Sequence, residues 1–189
     1  MRVIAGECKG RALKSVRSQL TRPTTDKVKE TIFNMIGPFF DGGQALDLYS
    51  GSGGLGIEAL SRGISRAVFI DKSGPAISTI KKNIQLCGLE NRAEVYRNDA
   101  GRAISILAKK QSRFHLIFMD PPYAKQKIIK DIELIIHSNL LEENGKIIVE
   151  HEDTVTLPEQ FNEVLIRIKH HTYHGKTAVS IYEHQNKGG

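Results

Sequence analysis

The chain has 189 residues, a length that allows one compact domain with a substantial core. Its composition is globular, with 40% hydrophobic residues, 25% charged residues and a formal net charge of +6. No stretch approaches the roughly 20 apolar residues of a membrane helix, and no apolar signal-peptide core opens the chain. Cys8 and Cys87 have neither metal-ligand spacing nor a disulfide framework. We therefore expect a monomeric, cytoplasmic protein without a metal and without contact to a membrane.

The first 22 residues form a strongly basic arm. They contain one acidic residue, Glu7, and six basic residues, and so carry a net charge of +5. The basic residues are Arg2, Lys9, Arg11, Lys14, Arg17 and Arg22. Such an arm either binds a polyanion, because neutralising phosphates releases counterions, or only keeps the surface soluble. Short strands are predicted in it at Met1–Ile4 and Arg11–Leu13.

A helix and then an alternation of strands and helices follow the arm. Thr24–Thr25–Asp26 is typical of a helix N-cap, and the apolar spacing after it predicts a helix to about Ile36, before Gly37–Pro38. We predict strands at Ala45–Tyr49, Ala67–Ile70, Ala93–Tyr96, Leu116–Met119 and Lys146–Glu150. We predict the intervening helices at Leu55–Arg62, Pro75–Leu86, Ala100–Lys109 and Lys127–Asn139.

This alternation predicts a Rossmann-like α/β fold, because strand–helix–strand crossovers build a mainly parallel sheet with helices on both faces. Val164–Thr172 and Thr177–Tyr182 flank His174–Gly175 and predict an antiparallel C-terminal hairpin. We expect seven strands in one domain over residues 1–189. Residues 1–43 would be the basic N-terminal extension, and residues 44–189 the catalytic core.

A glycine-rich loop follows the first predicted strand. Gly51, Gly53 and Gly56 satisfy G-x-G-x-x-G, and Asp71 lies 20 residues beyond Gly51. This is the spacing of a dinucleotide-binding fingerprint, so the loop alone allows either a nicotinamide cofactor or S-adenosylmethionine. Asp47, before the loop, favours S-adenosylmethionine, because a carboxylate there would repel a pyrophosphate and attract an ammonium or sulfonium group.

A second indication of S-adenosylmethionine follows the third predicted strand. The acid of Asn98–Asp99 can accept a hydrogen bond from an adenine amine, and the strand-end acids Asp47, Asp71, Asp99 and Asp120 form a row. In an open α/β sheet, ligands bind at this carboxyl edge. The residues predicted to bind the cofactor are Asp47, Tyr49, Ser50, Gly51, Ser52, Gly53, Asp71, Lys72, Asn98, Asp99 and Ala100.

The motif Asp120-Pro121-Pro122-Tyr123 follows the fourth predicted strand and decides the chemistry. The two prolines fix the backbone and remove two amide donors, so Asp120 and the Pro121 carbonyl can both accept hydrogen bonds from a planar NH₂ group. The ring of Tyr123 offers a face on which a base can stack. We predict that these four residues are catalytic and that a methyl group is transferred to the exocyclic amine of a nucleobase.

These motifs resemble those of amino-methyltransferases that act on adenine N6, cytosine N4 or guanine N2. The run from Arg22 to Asn34 is more discriminating. Together with Arg2–Gly6, Gly10–Arg11, Asp47–Glu58 and Tyr173–Thr177 it is similar to the RsmD family of small-subunit (16S) ribosomal RNA guanine-N2 methyltransferases. The resemblance runs essentially end to end. It implies S-adenosylmethionine as cofactor, S-adenosylhomocysteine as product, and ribosomal RNA or a small-subunit particle as partner.

We expect the arm and the start of the first helix to contact RNA. The predicted RNA-binding residues are Arg2, Lys9, Arg11, Arg22, Thr24 and Lys27. The chain departs from the family's usual residues at Lys27, Lys29, Tyr49–Ser50, Gly54 and Lys176. A lysine in place of an arginine keeps the charge but loses bidentate phosphate geometry.

Three other functions compete with this interpretation. A DNA or RNA adenine-N6 methyltransferase could share the tetrapeptide, although 189 residues leave no room for a separate DNA target-recognition domain. A nicotinamide-dependent oxidoreductase could use the same glycine loop, but it leaves the Pro-Pro-Tyr motif and the basic arm unexplained. A non-catalytic RNA-binding assembly factor would tolerate the loss of Asp120.

Overall fold

The computed structural model describes residues 1–16, 24–122, 125–173 and 176–185, with the backbone alone described at Gln126. Two predicted site residues, Arg22 and Tyr123, lie outside the described residues, as does the predicted hairpin turn at His174–Gly175. Within the described part of the chain, no helix combines the length and the apolar character needed to cross a membrane.

The described residues form five α-helices and eight strands, with a short 3-10 helix at Glu90–Arg92. The helices are α1 (Asp26–Ile36), α2 (Gly54–Ser61), α3 (Gly74–Cys87), α4 (Ala100–Lys109) and α5 (Lys125–His137). The strands are β1 (Gln44–Leu48), β2 (Arg66–Asp71), β3 (Ala93–Arg97), β4 (Phe114–Met119), β5 (Leu141–Glu152), β6 (Gln160–Phe161), β7 (Leu165–Tyr173) and β8 (Thr177–His184).

All eight strands lie in one sheet, in the order β3-β2-β1-β4-β5-β8-β7-β6. Strands β1 to β5 pair in parallel, whereas β8 pairs antiparallel with β5 and β7, and β6 pairs antiparallel with β7. This confirms the predicted Rossmann-like class and its antiparallel C-terminal hairpin. The strand order reverses between β1 and β4, and ligands of open α/β sheets bind beyond the carboxyl ends of the strands at such a point.

The sheet has one strand more than the seven predicted. The additional strand, β6, contains only Gln160 and Phe161 and pairs with Leu165 and Ile166 at the sheet edge. Two residues are too few to show an alternation of apolar and polar side chains, so the sequence pattern does not indicate this strand. Strand β5 also begins earlier than predicted, because Leu141 pairs with Phe114 ahead of a register shift.

The core lies on both faces of the sheet. In β1, Ala45 belongs to a cluster with α1, α2 and α3, whereas Leu46 and Leu48 belong to a second cluster with α4 and α5. In β4, Leu116 and Phe118 join the first cluster in the same alternating way. Because successive side chains point to opposite faces, central strands buried on both faces read as continuous apolar runs.

The basic arm packs onto the first cluster. Arg2 and Ala12 form an antiparallel bridge, and Val3, Cys8 and Leu13 are buried beside α2 and α3. In its described residues, 1–16, the arm therefore presents its basic side chains to solvent while Val3, Cys8 and Leu13 extend the core.

Candidate active site

A cavity of about 230 Å³ lies at the carboxyl edge of β1, β2 and β4. Of the residues predicted to bind the cofactor, only Gly53 does not line this cavity. The lining residues among them are Asp47, Tyr49, Ser50, Gly51, Ser52, Asp71, Lys72, Asn98, Asp99 and Ala100. Asp120 and Pro122 of the predicted catalytic motif line the same cavity, and so does Thr24, which was predicted to bind RNA. Pro121 is buried. The cavity thus brings the glycine loop and the Asp-Pro-Pro motif together.

The glycine loop is closed by hydrogen bonds to the carboxylate of Asp71. The Gly51 amide donates to Asp71 Oδ2 at 2.9 Å, and the Ser73 amide donates to Asp71 Oδ1 at 2.8 Å. Gly51 has a φ of 57°, and a Cβ added there would meet no atom within 4 Å, so the loop leaves open space above its backbone. Each carboxylate oxygen offers about two acceptor positions, so Asp71 can still accept from a ligand.

Two further glycines shape the loop but do not line the cavity. Gly53 caps the start of α2 with a φ of 81°, a conformation that glycine adopts without strain. At Gly56 an added Cβ would lie 2.3 Å from Phe69 Cε1 on β2. Glycine at position 56 is therefore required for α2 to pack closely against the sheet.

Asp47 is a buried carboxyl at the carboxyl end of β1, with a side chain that faces the cavity. Its Oδ2 accepts a hydrogen bond from the Gly56 amide at 3.0 Å. Burial is the main cause that raises the pKa of Asp47 to about 8. The Gly56 amide opposes this rise, and the nearby Asp71 carboxylate adds to it. A cation bound in the cavity would favour the ionised carboxylate, because an opposite charge nearby offsets the cost of burial.

Asp120 lies in the cavity with its carboxylate free. It accepts no hydrogen bond from any other described residue, unlike Asp47 and Asp71. Burial raises the pKa of Asp120 well above its ordinary value, and the nearby carboxylates Glu150 and Asp47 raise it further. The site therefore collects carboxyl groups in a small volume without a cationic side chain beside Asp120 among the described residues, and their ionisation is disfavoured until a cation binds.

Glu150 is a buried acid next to the cavity that the sequence did not single out, close to Thr24 and Asp120. Its side chain is 8% exposed, and its Oε2 accepts a hydrogen bond from Thr24 Oγ1 at 2.7 Å. It lies at the end of the fifth predicted strand, so the row of strand-end acids that included Asp47 and Asp120 would have pointed to it.

Asp131 on α5 is a second missed residue. Its carboxylate is almost fully buried, accepts a hydrogen bond from the Tyr49 hydroxyl, and pairs with Lys127 Nζ at 2.5 Å. Tyr49 therefore lines the cavity and also connects the glycine loop to α5, the helix that follows the Asp-Pro-Pro motif. The hydroxyl of Tyr49 makes this connection, which a phenylalanine could not make.

The Asn98–Asp99 pair lies between β3 and α4. Asp99 is the N-cap of α4 and accepts from the Arg102 amide at 3.2 Å, while Asn98 Oδ1 accepts from the Asp99 amide at 3.0 Å. Asp99 is exposed at the cavity rim and retains an oxygen that can accept from a ligand.

The predicted RNA-binding residues divide into two groups. Arg2, Lys9, Arg11 and Lys27 are exposed and do not line the cavity, and Arg2 Nε pairs with Asp26 Oδ2 at 3.3 Å. Thr24 belongs instead to the cavity wall, where it contacts Glu150. Among the described residues, no group of three or more His, Cys, Asp or Glu side chains is placed to hold a metal ion.

Comparisons with known proteins show the family. A family model described as "Conserved hypothetical protein 95" matches residues 1–183. The chain is 53% identical over 183 residues to YlbH of Bacillus subtilis (strain 168), provisionally named an rRNA methyltransferase, with 97% of this chain and 98% of that protein covered. It is 34% identical over 189 residues to the ribosomal RNA small subunit methyltransferase D of Escherichia coli (strain K12), with 100% and 92% covered. The chain belongs to the RsmD family.

A solved structure shows the same fold. The Escherichia coli protein YhhF, provisionally titled a methyltransferase, superposes with a TM-score of 0.81 at 31% identity, and 98% of each chain is covered. The predicted family and the predicted fold class are thus both confirmed.

Proposed function

We propose that this RsmD family member transfers a methyl group from S-adenosylmethionine to the N2 amine of a guanine in 16S ribosomal RNA. The observation that carries the proposal is the free carboxylate of Asp120, which lies in the same cavity as the glycine loop. The small-subunit ribosomal RNA named for the Escherichia coli relative supports the choice of substrate.

The cavity residues fit S-adenosylmethionine. The buried carboxyl of Asp47 suits the cationic amino-acid end of the cofactor, and Asp71 retains acceptor positions for the ribose hydroxyls. The open space above Gly51 admits a ligand close to the backbone. When bound, the cofactor supplies a methyl group already activated as a sulfonium.

Asp120 would orient the target amine. The lone pair of an exocyclic amine is delocalised into the ring, and acceptors on its hydrogens favour the pyramidal form whose lone pair points at the methyl group. A cation in the cavity opposes the effect of burial on the pKa of Asp120, and so favours the carboxylate form that accepts hydrogen bonds. Most of the rate enhancement would come from positioning two bound reactants, since the methylated amine loses its proton readily.

The test is to incubate the protein with radiolabelled S-adenosylmethionine and small-subunit particles, naked 16S RNA or DNA, and to identify the modified nucleoside. We expect N2-methylguanosine from RNA or particles. Asp120→Ala should lower turnover at least ~100-fold and leave cofactor affinity within a few-fold. The exposed Asp41→Ala is the matched control. N6-methyladenosine as product, or full activity of Asp120→Ala, would contradict the proposal.

A further inference from the structure

We propose that Glu150 is a specificity-determining residue, which accepts the ring N1–H of guanine while Asp120 accepts a hydrogen of the neighbouring amine. The pair of carboxylates would then select guanine over adenine and cytosine. This inference rests on the proposed function and adds to it a residue that reads the identity of the base.

Asp120 and Glu150 are neighbours just beyond the last residue pair of the β4–β5 ladder, and their carboxyl groups are close enough to interact electrostatically. Met119 of β4 pairs with Val149 of β5 in a parallel ladder, so Asp120 and Glu150 are the next residues on adjacent strands. Neighbouring strands are about 4.8 Å apart, and residues in register project to the same face. Two carboxylates at this spacing can converge on adjacent donors of one planar ring.

The protein's own interactions compensate for little of the cost of burying the Glu150 carboxylate. Within the described residues its carboxylate has one hydrogen bond, from Thr24 Oγ1 at 2.7 Å, and no ion pair. Ionised carboxylates have about four acceptor positions, so most of its capacity is free. An apolar residue would be less costly at a purely structural position, because an unpaired buried acid loses its hydration.

Thr24 also connects Glu150 to the cavity. Thr24 and Asp120 both line it, and Glu150 contacts the first and lies beside the second. Burial raises the pKa of Glu150, and the Thr24 hydroxyl opposes that rise by donating to the carboxylate. The contact therefore favours the ionised form, which can only accept hydrogen bonds.

The chemistry of the bases gives this acceptor pair its selectivity. Guanine presents N1–H beside its N2 amine, so two adjacent donors face the two carboxylates. Adenine presents its N6 amine beside the acceptor N1, and cytosine presents its N4 amine beside the acceptor N3. Either of these would place a ring lone pair against Glu150, and a mismatched bidentate contact costs on the order of 10- to 100-fold in discrimination.

The test uses RNA in which the methylated guanine, first mapped with the wild-type protein, is replaced by 2-aminopurine. This base keeps the 2-amino group but presents an acceptor at N1. We expect the wild type to methylate the guanine RNA at least ~10-fold more efficiently in kcat/KM. Glu150→Gln should bring the ratio toward one, because its amide can donate to N1, while its affinity for S-adenosylmethionine stays within a few-fold.

The matched control is Glu152→Gln, which changes an exposed carboxylate on the same strand and should keep the wild-type ratio. An unchanged ratio in Glu150→Gln would overturn the inference. Equal methylation of both RNAs by the wild type would also overturn it, whether or not the variant folds. Failure of the proposed function is a separate result, because the wild type would then form no N2-methylguanosine on unsubstituted RNA.

Discussion

Asp47 should make the cofactor-free protein less stable as the pH rises. Its side chain is 3% exposed. Burial raises its folded-state pKa to about 8, against the Gly56 amide. The unfolded-state value is about 4, so the stabilisation is fully present below pH ~4 and is lost as the pH rises through ~8. Between these values the loss is ~1.4 kcal/mol per pH unit, or about 2.5 kcal/mol from pH 5 to pH 7.

Asp47→Asn isolates this contribution. The amide oxygen of asparagine can still accept from Gly56, but the side chain does not ionise. We expect the variant to gain about 2.5 kcal/mol relative to wild type between pH 5 and pH 7, measured by urea unfolding at each pH. The exposed Asp41→Asn should follow the wild type throughout. Parallel curves for wild type and Asp47→Asn would refute the reasoning, because Asp47 would then titrate alike in both states.

Three further predictions concern the loop, the buried ion pair and the arm. Asp71→Ala should weaken S-adenosylmethionine binding by ~1.5–3 kcal/mol in calorimetry, whereas saturable micromolar binding of NADH would contradict a methyltransferase. Glu58→Gln should lower the free energy of unfolding by ~3–5 kcal/mol, because it leaves the buried Lys29 without its carboxylate at 3.3 Å. Arg62 Nε also pairs with Glu58 at 2.8 Å, so a loss below ~1 kcal/mol would mean that this buried group of ion pairs adds little net stability. The double variant Arg2→Ala/Arg11→Ala should bind all RNAs more weakly. The slope of log affinity against log salt concentration should become shallower by roughly one per lost phosphate contact. An unchanged slope would mean that RNA is held elsewhere.

Local signals predicted most of the fold. Helix α4 has the predicted bounds, Ala100–Lys109, because Asp99 caps it and Ala103, Ile104 and Leu107 are buried at helical spacing. The central strands were found as short apolar runs between glycine and polar segments. That the predicted cofactor-binding residues would lie together was also predictable, since the carboxyl edge of a parallel sheet collects the residues that follow each strand.

The missing parts of the site depend on contacts between distant segments. The strand-end position of Glu150 is visible in the sequence, but its place next to Asp120 depends on the register of β4 and β5, which that position alone does not give. Asp131 looks like one charge on the surface of an amphipathic helix until α5 packs against Tyr49. In both cases an acid is buried by a surface that is contributed from elsewhere in the chain.

Glu58 shows how the arm and the glycine loop act as one packed body. Its carboxylate accepts from the Ile4 and Ala5 amides of the arm and from Arg62 Nε at 2.8 Å. It also forms an ion pair with Lys29 of α1. Burial lowers the pKa of Lys29, and the Glu58 carboxylate partly offsets that by raising it. Because Glu58 lies on α2, which begins at the glycine loop, the anchor of the arm is fixed to a helix whose first residues line the cavity. An RNA backbone held by the arm would therefore be held at a fixed distance from Asp120. Catalysis by positioning requires that constraint, since small misplacements of bound reactants lose much of the advantage.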